Sequence, residues 1–203
     1  VIHFARRLHR ESARLAELVN QIIELSRLQS SDPMLSRQVV DVEEIIDEAI
    51  GRTRETAEAR RINLVRTAVP CAWVLGDRRQ LIDALVNLVQ NAINYSDDNA
   101  RVVVAATRMS DEEGENVEIT VSDNGIGISQ EDQERIFERF YRVDYGRSRE
   151  SGGTGLGLSI VRHIALAHQG SVKVWSRPRQ GSTFTLRLPA HQERVVDGET
   201  REG

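Results

Sequence analysis

Four short segments that follow one another in the second half of the chain constrain its fold more than any other feature of the sequence. They are Asn87–Asn91, Asp123–Gly127, Phe137–Tyr141 and Gly153–Gly157. Each is a weak signal alone, because asparagine pairs are common on solvated helix faces and glycine-rich stretches are common in turns. In this order and at this spacing, they predict a nucleotide pocket that is closed by a mobile lid.

The first segment lies on a helix that the apolar periodicity predicts over residues 78–94. On this helix Asn87, Asn91 and Asn94 fall on one face and form a polar stripe. A solvated face would also explain the stripe, but asparagine is a mediocre helix former, and charged residues would serve that purpose better. A neutral amide oxygen is a hard ligand that suits Mg²⁺. The stripe is therefore a candidate metal and phosphate site.

The second segment directly follows a predicted strand, residues 117–122. Its two glycines, Gly125 and Gly127, allow positive φ and a close approach of the backbone to a ligand. Asp123, at the strand end, can accept a hydrogen bond from the amino group of adenine, a donor that guanine does not offer. The segment therefore favours ATP over GTP. An ordinary Asx turn is the alternative interpretation, because Asp-Asn-Gly is a strong turn sequence.

The third and fourth segments flank a polar loop, residues 142–153, and form the predicted lid with it. Phe137, Phe140 and Tyr141 are expected to anchor one hinge of this lid. Gly153–Gly157 leads into a helix, so its N–H groups and the helix N-terminus can hold phosphate oxygens. The segment is not a P-loop, because no Lys-Ser/Thr pair follows its last glycine, and its spacing does not match a Rossmann fingerprint.

Helical and strand patterns alternate through the chain and predict a two-layer α+β sandwich. The predicted helices span residues 41–60, 78–94, 130–138 and 156–168. The predicted strands span residues 39–40, 62–66, 72–75, 102–108, 117–122, 172–175 and 183–188. Asp41 is the first residue of the first predicted helix, Asp77 stands immediately before the second, and both are expected to act as caps.

A separate long helix is predicted over residues 2–29, where apolar residues follow a heptad seam. Its buried side chains would each contribute about 1.5–3 kcal/mol, so it must pack against another segment or another chain. A Ser/Asp/Pro turn then separates this helix from the rest. The predicted domains are 1–32 for the helix, 33–189 for the sandwich, and 190–203 for a charged tail that is expected to be disordered.

The composition excludes several classes of protein. A formal net charge of −4 argues against a general nucleic-acid binder. A single cysteine, Cys71, excludes an intramolecular disulfide, as suits a reducing cytosol. No apolar run approaches the length that crosses a bilayer. This stretch is therefore expected to be cytoplasmic and to make no membrane contact, while membrane anchoring of a longer parent protein stays open.

The four segments resemble the N, G1, F and G2 boxes of sensor histidine kinases, the phosphoryl-donating half of bacterial two-component systems, over residues 38–189. The resemblance implies the two-layer α/β sandwich that these kinases share with gyrase-type and Hsp90-type ATPases, preceded by one long dimerisation helix. It also implies ATP and Mg²⁺ as ligands, a response-regulator receiver domain as partner, and a homodimer formed through a helical hairpin. Glu138–Arg142 and Val174–Pro178 are similar to the actinobacterial phosphate-responsive type.

By the same resemblance, Asn87 coordinates the metal and takes part in catalysis with Arg142, which reaches the γ-phosphate. Asn91 supports the phosphate or metal shell, Tyr95 packs beside the nucleotide, and Thr183, in the last box of the family, lies near adenine. The complete predicted nucleotide site consists of Asn87, Asn91, Tyr95, Asp123, Gly125, Gly127, Phe137, Arg142, Gly153, Thr154, Gly155, Leu156, Gly157 and Thr183.

The function implied is that of an ATP-dependent protein-histidine kinase fragment, which donates the γ-phosphoryl group to a histidine for relay to an aspartate of a response regulator. The acceptor helix is expected to be missing, because neither His3 nor His9 is followed by the family's Glu-Leu-Lys/Arg-x-Pro pattern. Asn94 stands where the family usually has Lys or Arg, so phosphate neutralisation must depend more on arginine elsewhere. Two alternatives stay open: another ATPase of the same fold, and a non-catalytic dimerising signalling module.

Overall fold

The computed structural model describes residues 37–67, 69–112, 114–143 and 154–191. The predicted helix 2–29, the tail from residue 192 onward, and residues 144–153 of the predicted lid lie outside the described residues. The described strands are β1 (Gln38–Asp41), β2 (Asn63–Arg66), β3 (Trp73–Gly76), β4 (Arg101–Asp111), β5 (Gly114–Asp123), β6 (Ser171–Arg177) and β7 (Gly181–His191). The described helices are α1 (Val42–Ala59), α2 (Arg78–Asn94) and α3 (Gly157–Ala167), with a 3₁₀ helix at Arg135–Phe137.

The strands form a seven-stranded sheet in the order β1-β3-β7-β5-β4-β2, in which β6 also pairs with β7. β2 and β4 run parallel, whereas the other described pairs are antiparallel. Along the β5–β7 pair, Asp123 lies opposite Ser182. This register brings the end of β5 beside the start of β7, which is where the candidate site begins.

The α-helices pack on one face of the sheet, so the predicted two-layer sandwich is confirmed. Alternate residues of the central strands point into this layer and are almost completely buried: Val102, Val104, Val117, Ile119, Val121, Phe184, Leu186 and Leu188. They meet buried helix residues such as Ile45, Leu85 and Ile160. Each burial of this kind contributes about 1.5–3 kcal/mol, so the core fixes the helices against the strand ends that carry the site.

Aspartates begin the first two helices, as the sequence predicts. Asp41 Oδ1 accepts a hydrogen bond from the backbone N–H of Glu43 at 2.7 Å. Asp77 Oδ1 accepts from Arg79 at 2.9 Å and from Gln80 at 3.1 Å. Such N-caps typically contribute about 1 kcal/mol, because they satisfy backbone donors that have no partner within the helix.

The predicted helix over residues 130–138 is wrong in extent, because the structure contains only the three-residue 3₁₀ helix there. The carbonyl oxygen of Asp132 accepts from the backbone N–H groups of both Arg135 and Ile136, at 2.9 Å each. The Asp132 side chain bonds outside the segment's own backbone. Glu138 has an extended backbone with a ψ of 147°, and Phe140 has a positive φ, so the helical conformation ends at Phe137.

Most predicted strands are a few residues longer in the structure than in the sequence pattern. β7 runs to His191, two residues past the predicted boundary at 189, because it pairs there with β3. Among the described residues, the structure contains no helix with the length and apolar character that a bilayer-spanning segment needs.

Candidate nucleotide-binding site

Asp123 ends β5 and is the half-buried acid of the site. Its Oδ1 accepts hydrogen bonds from the backbone N–H groups of Gly125, at 2.9 Å, and Ser182, at 3.3 Å. Burial raises the pKa of the Asp123 carboxyl, and these two backbone hydrogen bonds oppose that shift. The bond to Gly125 forms an Asx turn, which is the alternative interpretation that the sequence allows for this segment. Because both bonds use Oδ1, Oδ2 is the oxygen that can accept from a ligand.

The loop after Asp123 is held against the end of α2. The N–H of Ile126 donates to the carbonyl oxygen of Tyr95 at 3.2 Å. A Cβ atom on Gly125 would stand 2.3 Å from that same oxygen, so only glycine fits there. Gly127 adopts a φ of +70°, and a Cβ atom on it would stand 1.9 Å from the carbonyl oxygen of Arg177. Both predicted glycines therefore serve a close backbone approach.

Ser182 is a residue of the site that sequence reasoning missed. It is buried, donates its N–H to Asp123, and lies with its hydroxyl 3.0 Å from that of Ser176. Thr183 instead pairs its hydroxyl with Ser122 at 2.9 Å. Since side chains alternate along a strand, the burial of Phe184 in the core places Ser182 on the helix-facing side and Thr183 on the opposite side. The structure thus brings Ser182 to Asp123 and does not bring Thr183 there.

Asn87, the first asparagine of the stripe, lies beside the start of α3. The Asn87 side chain donates through Nδ2 to the carbonyl oxygen of Asp83 at 2.9 Å, which fixes the amide orientation. Its Oδ1 lies 3.0 Å from the position that a Cβ atom on Gly157 would occupy. Asn91 and Asn94 are half-buried on the same helix. Asn87 therefore presents an oxygen acceptor at the N-terminus of α3, with a glycine keeping the space open.

The fourth segment enters α3 through a tight turn. Gly153 lies outside the described residues. Thr154 is buried, and its Oγ1 accepts from the N–H of Leu156 at 3.3 Å. Gly155 has a φ of +76°, and the Leu156 side chain is fully buried in the core. The turn and the core contact together fix the direction in which the N-terminus of α3 points.

The third segment is fixed by its first and last aromatic residues. Phe137 and Tyr141 pack against the core, whereas 60 % of Phe140 is exposed. The sequence predicts that Phe140 anchors the hinge together with the other two aromatic residues. In the structure its ring is exposed, and it is held through its backbone instead. Its N–H donates to the carbonyl oxygen of Gly155 at 2.9 Å. Arg142 directly follows Tyr141 in the chain and is half-buried, and its Nε atom is buried.

Together these residues line an elongated strip along α2. Asn87 and Tyr95 stand eight residues apart in the chain, which corresponds to about 12 Å along a helix axis. Asp123 and its loop lie at the Tyr95 end, and the start of α3 lies at the Asn87 end. One end offers a half-buried carboxylate acceptor for a base, and the other offers an amide oxygen beside a helix N-terminus, which suits phosphate.

A scan against known families matches residues 76–192 to the histidine kinase-, DNA gyrase B- and HSP90-like ATPase family. This match includes the ends of the strip and more than half of the chain, and the chain belongs to this family of ATP-binding domains. The fold class and the family that the sequence predicts are confirmed.

Relatives within this family are sensor kinases. The chain is 45 % identical over 202 residues to the sensor-like histidine kinase SenX3 of Mycolicibacterium smegmatis, covering all of this chain and 52 % of that protein. It is 48 % identical over 203 residues to SenX3 of Mycobacterium tuberculosis, covering all of this chain and 48 % of that protein. The chain thus spans about half the length of these relatives.

Solved structures show the same fold. Full-length ShkA in complex with AMPPNP superposes with a TM-score of 0.76 at 29 % identity, over 90 % of this chain and 37 % of that one. The mycobacterial sensor histidine kinase MprB superposes with a TM-score of 0.66 at 29 % identity, over 77 % of this chain and 99 % of that one.

Proposed function

We propose that this chain is the ATP-binding catalytic part of a sensor histidine kinase, which binds Mg·ATP and donates the γ-phosphoryl group to a histidine. The observation that carries this proposal is the joint placement of Asp123 and Asn87 at opposite ends of one strip, each beside a glycine that keeps the approach open. The similarity to sensor-like kinases supports the same function.

At the base end, Asp123 accepts the adenine amino group through Oδ2. The Gly125–Gly127 backbone and Tyr95 form the adjoining wall, because Ile126 bonds to the carbonyl oxygen of Tyr95. The backbone N–H groups of Gly125 and Ser182 hold Oδ1 and orient the carboxylate. A carboxylate accepts but does not donate while it is ionised, so it selects a base that carries an amino group at this position.

At the phosphate end, the residues present fit a magnesium ion. Asn87 Oδ1 is an oxygen ligand of the kind that Mg²⁺ takes, and the glycine at position 157 leaves room beside it. When bound, Mg²⁺ would neutralise part of the negative charge of the phosphates. Asn91 supports this shell, and the N-terminus of α3 binds phosphate oxygens through its backbone N–H groups. Arg142 contributes the guanidinium that meets the γ-phosphate.

The reaction needs alignment more than covalent help from this domain. The bond between the γ-phosphorus and the β–γ bridging oxygen breaks, a bond forms from an imidazole nitrogen of the acceptor, and ADP leaves. Catalysis of such a loose transition state depends on positioning and on charge stabilisation. The acceptor is expected to be a histidine other than His3 or His9, and an aspartate of a response-regulator receiver domain takes the phosphoryl group next. Dimerisation through the helical hairpin brings donor and acceptor together.

Asn94 is the one feature that favours a non-catalytic, weakly binding module. It ends α2 and is half-buried, at a position where the family usually carries a cation. In the proposed arrangement Arg142 supplies a cation for the phosphates, so an uncharged residue at position 94 does not by itself exclude ATP binding.

Calorimetric titration of this chain with ADP, ATP and GTP, each with and without Mg²⁺, tests the proposal. We expect adenine nucleotides to bind, GTP to bind far more weakly, and Mg²⁺ to strengthen ATP binding. Equal affinity for ATP and GTP would contradict the role of Asp123. An absence of nucleotide binding under all conditions would favour the non-catalytic module.

A further inference from the structure

The Asp132 carboxylate bonds to one residue that precedes it in the chain and to one that follows it. Its Oδ2 accepts a hydrogen bond from the Ser129 hydroxyl at 2.6 Å, and its Oδ1 accepts from the Tyr141 hydroxyl at 2.5 Å. The Arg135 guanidinium lies over the Tyr141 ring, 4.3 Å from its centroid. Hydroxyl groups bound to a carboxylate form short and strong hydrogen bonds, so both oxygens of Asp132 are committed.

The Ser129 end of this arrangement is anchored to the sheet. The N–H of Ile128 donates to Ser176 Oγ at 2.8 Å, and Gln133 Nε2 donates to the Ser176 carbonyl oxygen at 3.0 Å. Ser176 lies on β6, is buried, and its hydroxyl also donates to the carbonyl oxygen of Gly181 at 2.8 Å. The residues on either side of Ser129 and Asp132 are therefore bonded to β6 of the sheet.

The Tyr141 end lies next to the phosphate-binding residues. Tyr141 directly precedes Arg142 in the chain. It directly follows Phe140, whose N–H bonds to Gly155 at the entrance to α3. Whatever fixes the Tyr141 ring and hydroxyl therefore limits where the backbone of Arg142 can lie. No other contact described for Tyr141 combines a hydrogen bond with a link back to the sheet.

We propose that Asp132 is a positioning residue, which holds Arg142 in register with the γ-phosphate by binding the Tyr141 hydroxyl to the β6 side of the domain. This inference rests on the proposed function, because Arg142 is assigned to the γ-phosphate there. Asp132 acts through Tyr141 and touches no nucleotide itself. Its loss would remove discrimination between ATP and ADP rather than adenine binding.

The test compares ATP and ADP dissociation constants, both with Mg²⁺, for the intact chain and its variants. We expect Asp132→Ala and Tyr141→Phe each to reduce the preference for ATP over ADP by about 5- to 30-fold, with ADP affinity nearly unchanged. The double variant should lose no more than either single one, because both changes break the same bond. Asp132→Asn keeps an acceptor oxygen and should recover most of the preference.

Two controls separate this role from a general loss of structure. Glu134→Ala removes an exposed carboxylate that makes no capping bond to the same 3₁₀ helix, and it should change neither constant. Ser129→Ala removes the other partner of Asp132 and should have a smaller effect than Tyr141→Phe. A parallel fall of ATP and ADP affinity in Asp132→Ala would mean that Asp132 only stabilises the fold.

Arg142→Ala distinguishes failure of this inference from failure of the proposed function. If Arg142→Ala abolishes the preference for ATP while Asp132→Ala and Tyr141→Phe leave it intact, the positioning role is wrong and the proposed function stands. If Arg142→Ala itself leaves the preference intact, the assignment of Arg142 to the γ-phosphate is wrong, and the positioning role fails with it.

Discussion

The backbone N–H of Phe140 donates to the carbonyl oxygen of Gly155 at 2.9 Å. This bond joins the two segments that flank the intervening loop. Phe140 holds a φ of +63° and Gly155 a φ of +76° at this contact. Two left-handed residues facing each other make the junction narrow, and glycine is the residue that adopts this conformation without strain.

Substitution of Gly155 by alanine should therefore disturb the site. A Cβ atom there would stand 2.8 Å from the carbonyl carbon of Phe140, and the left-handed conformation itself costs about 1–2 kcal/mol for a residue with a side chain. We expect a lower free energy of unfolding and weaker binding of a non-hydrolysable ATP analogue. Chemical denaturation and calorimetry measure the two effects.

Gly51→Ala is the matched control for this change. Gly51 lies within α1, and a Cβ atom on it would meet nothing within 4 Å. Alanine should raise the free energy of unfolding there by roughly 0.5–1 kcal/mol, because glycine weakens a helix interior. If Gly155→Ala behaved like Gly51→Ala, the narrow junction would have no importance for stability or binding.

Asp123→Asn should separate stability from binding. Burial raises the pKa of Asp123 in the folded protein. The free energy of unfolding therefore falls as the pH rises through this folded pKa, because the carboxyl then ionises in a place that disfavours charge. At pH 7 the neutral amide should therefore raise the free energy of unfolding. Adenine-nucleotide affinity should nevertheless fall by about 10- to 150-fold, because a hydrogen bond to a charged group contributes about 1.5–3 kcal/mol.

Thermal unfolding and ADP titration of Asp123→Asn measure these opposite effects. Ser122→Ala is a suitable control, because Ser122 is the neighbouring residue and bonds to Thr183 rather than to Asp123. Unchanged ADP affinity in Asp123→Asn would leave only the Asx turn as the role of this residue.

Asn87→Ala should remove most of the strengthening that Mg²⁺ gives to ATP binding. The side-chain oxygen is lost, while the helix gains a better helix former. ADP binding in the absence of metal should stay nearly constant, because Asn87 lies at the phosphate end of the strip. Asn94→Ala, on the same helix, should leave the Mg²⁺ effect intact. Equal losses with and without metal would assign Asn87 to the shape of the pocket.

His168 should make the stability of the domain depend on pH. It is buried, its Nε2 accepts from the N–H of Asp77 at 3.0 Å, and its Nδ1 lies 2.7 Å from the carbonyl oxygen of Ile164. Burial lowers the pKa of His168 below the ordinary histidine value of about 6.5. The neutral ring therefore stabilises the fold above about pH 6.5, and this contribution is lost as the pH falls through the folded pKa.

Urea unfolding of the wild type and of His168→Gln between pH 7.5 and 5 (about the range where histidine titrates) tests this expectation. The wild type should lose stability on acidification more steeply than His168→Gln. His163→Gln, on the same helix, should keep the wild-type slope. Identical slopes in all three proteins would show that protonation of His168 has no cost.

Local sequence signals predict most of the fold. Asp41 and Asp77 are caps that depend only on neighbouring backbone groups, and the alternation in β4 and β5 depends only on burial of one strand face. The two glycines of the Asp123 loop are visible in the sequence as a turn, although the contacts that require them, with Tyr95 and Arg177, are long-range.

The remaining features depend on register between distant segments. Ser182, and not Thr183, contacts Asp123 because the strand register pairs Asp123 with Ser182. The apolar Phe184 is a sequence signal for this, since it predicts that the even-numbered residues of β7 face the helices. The bond between Asp132 and Tyr141 could not be predicted, because the sequence pattern predicts a continuous helix over residues 130–138 that the structure does not contain. Phe140 has positive φ because of its contact with Gly155, and no local signal in its own sequence requires it.

Phosphoryl transfer in trans tests the central claim most directly. This chain is mixed with ATP labelled at the γ-phosphate, Mg²⁺ and a separately produced helical hairpin that carries the acceptor histidine of the family. We expect acid-labile label on the hairpin, none on this chain alone, and a large loss of transfer with Asn87→Ala. Stable acid-labile label on His3 or His9 of this chain without the hairpin would contradict the proposed arrangement of donor and acceptor.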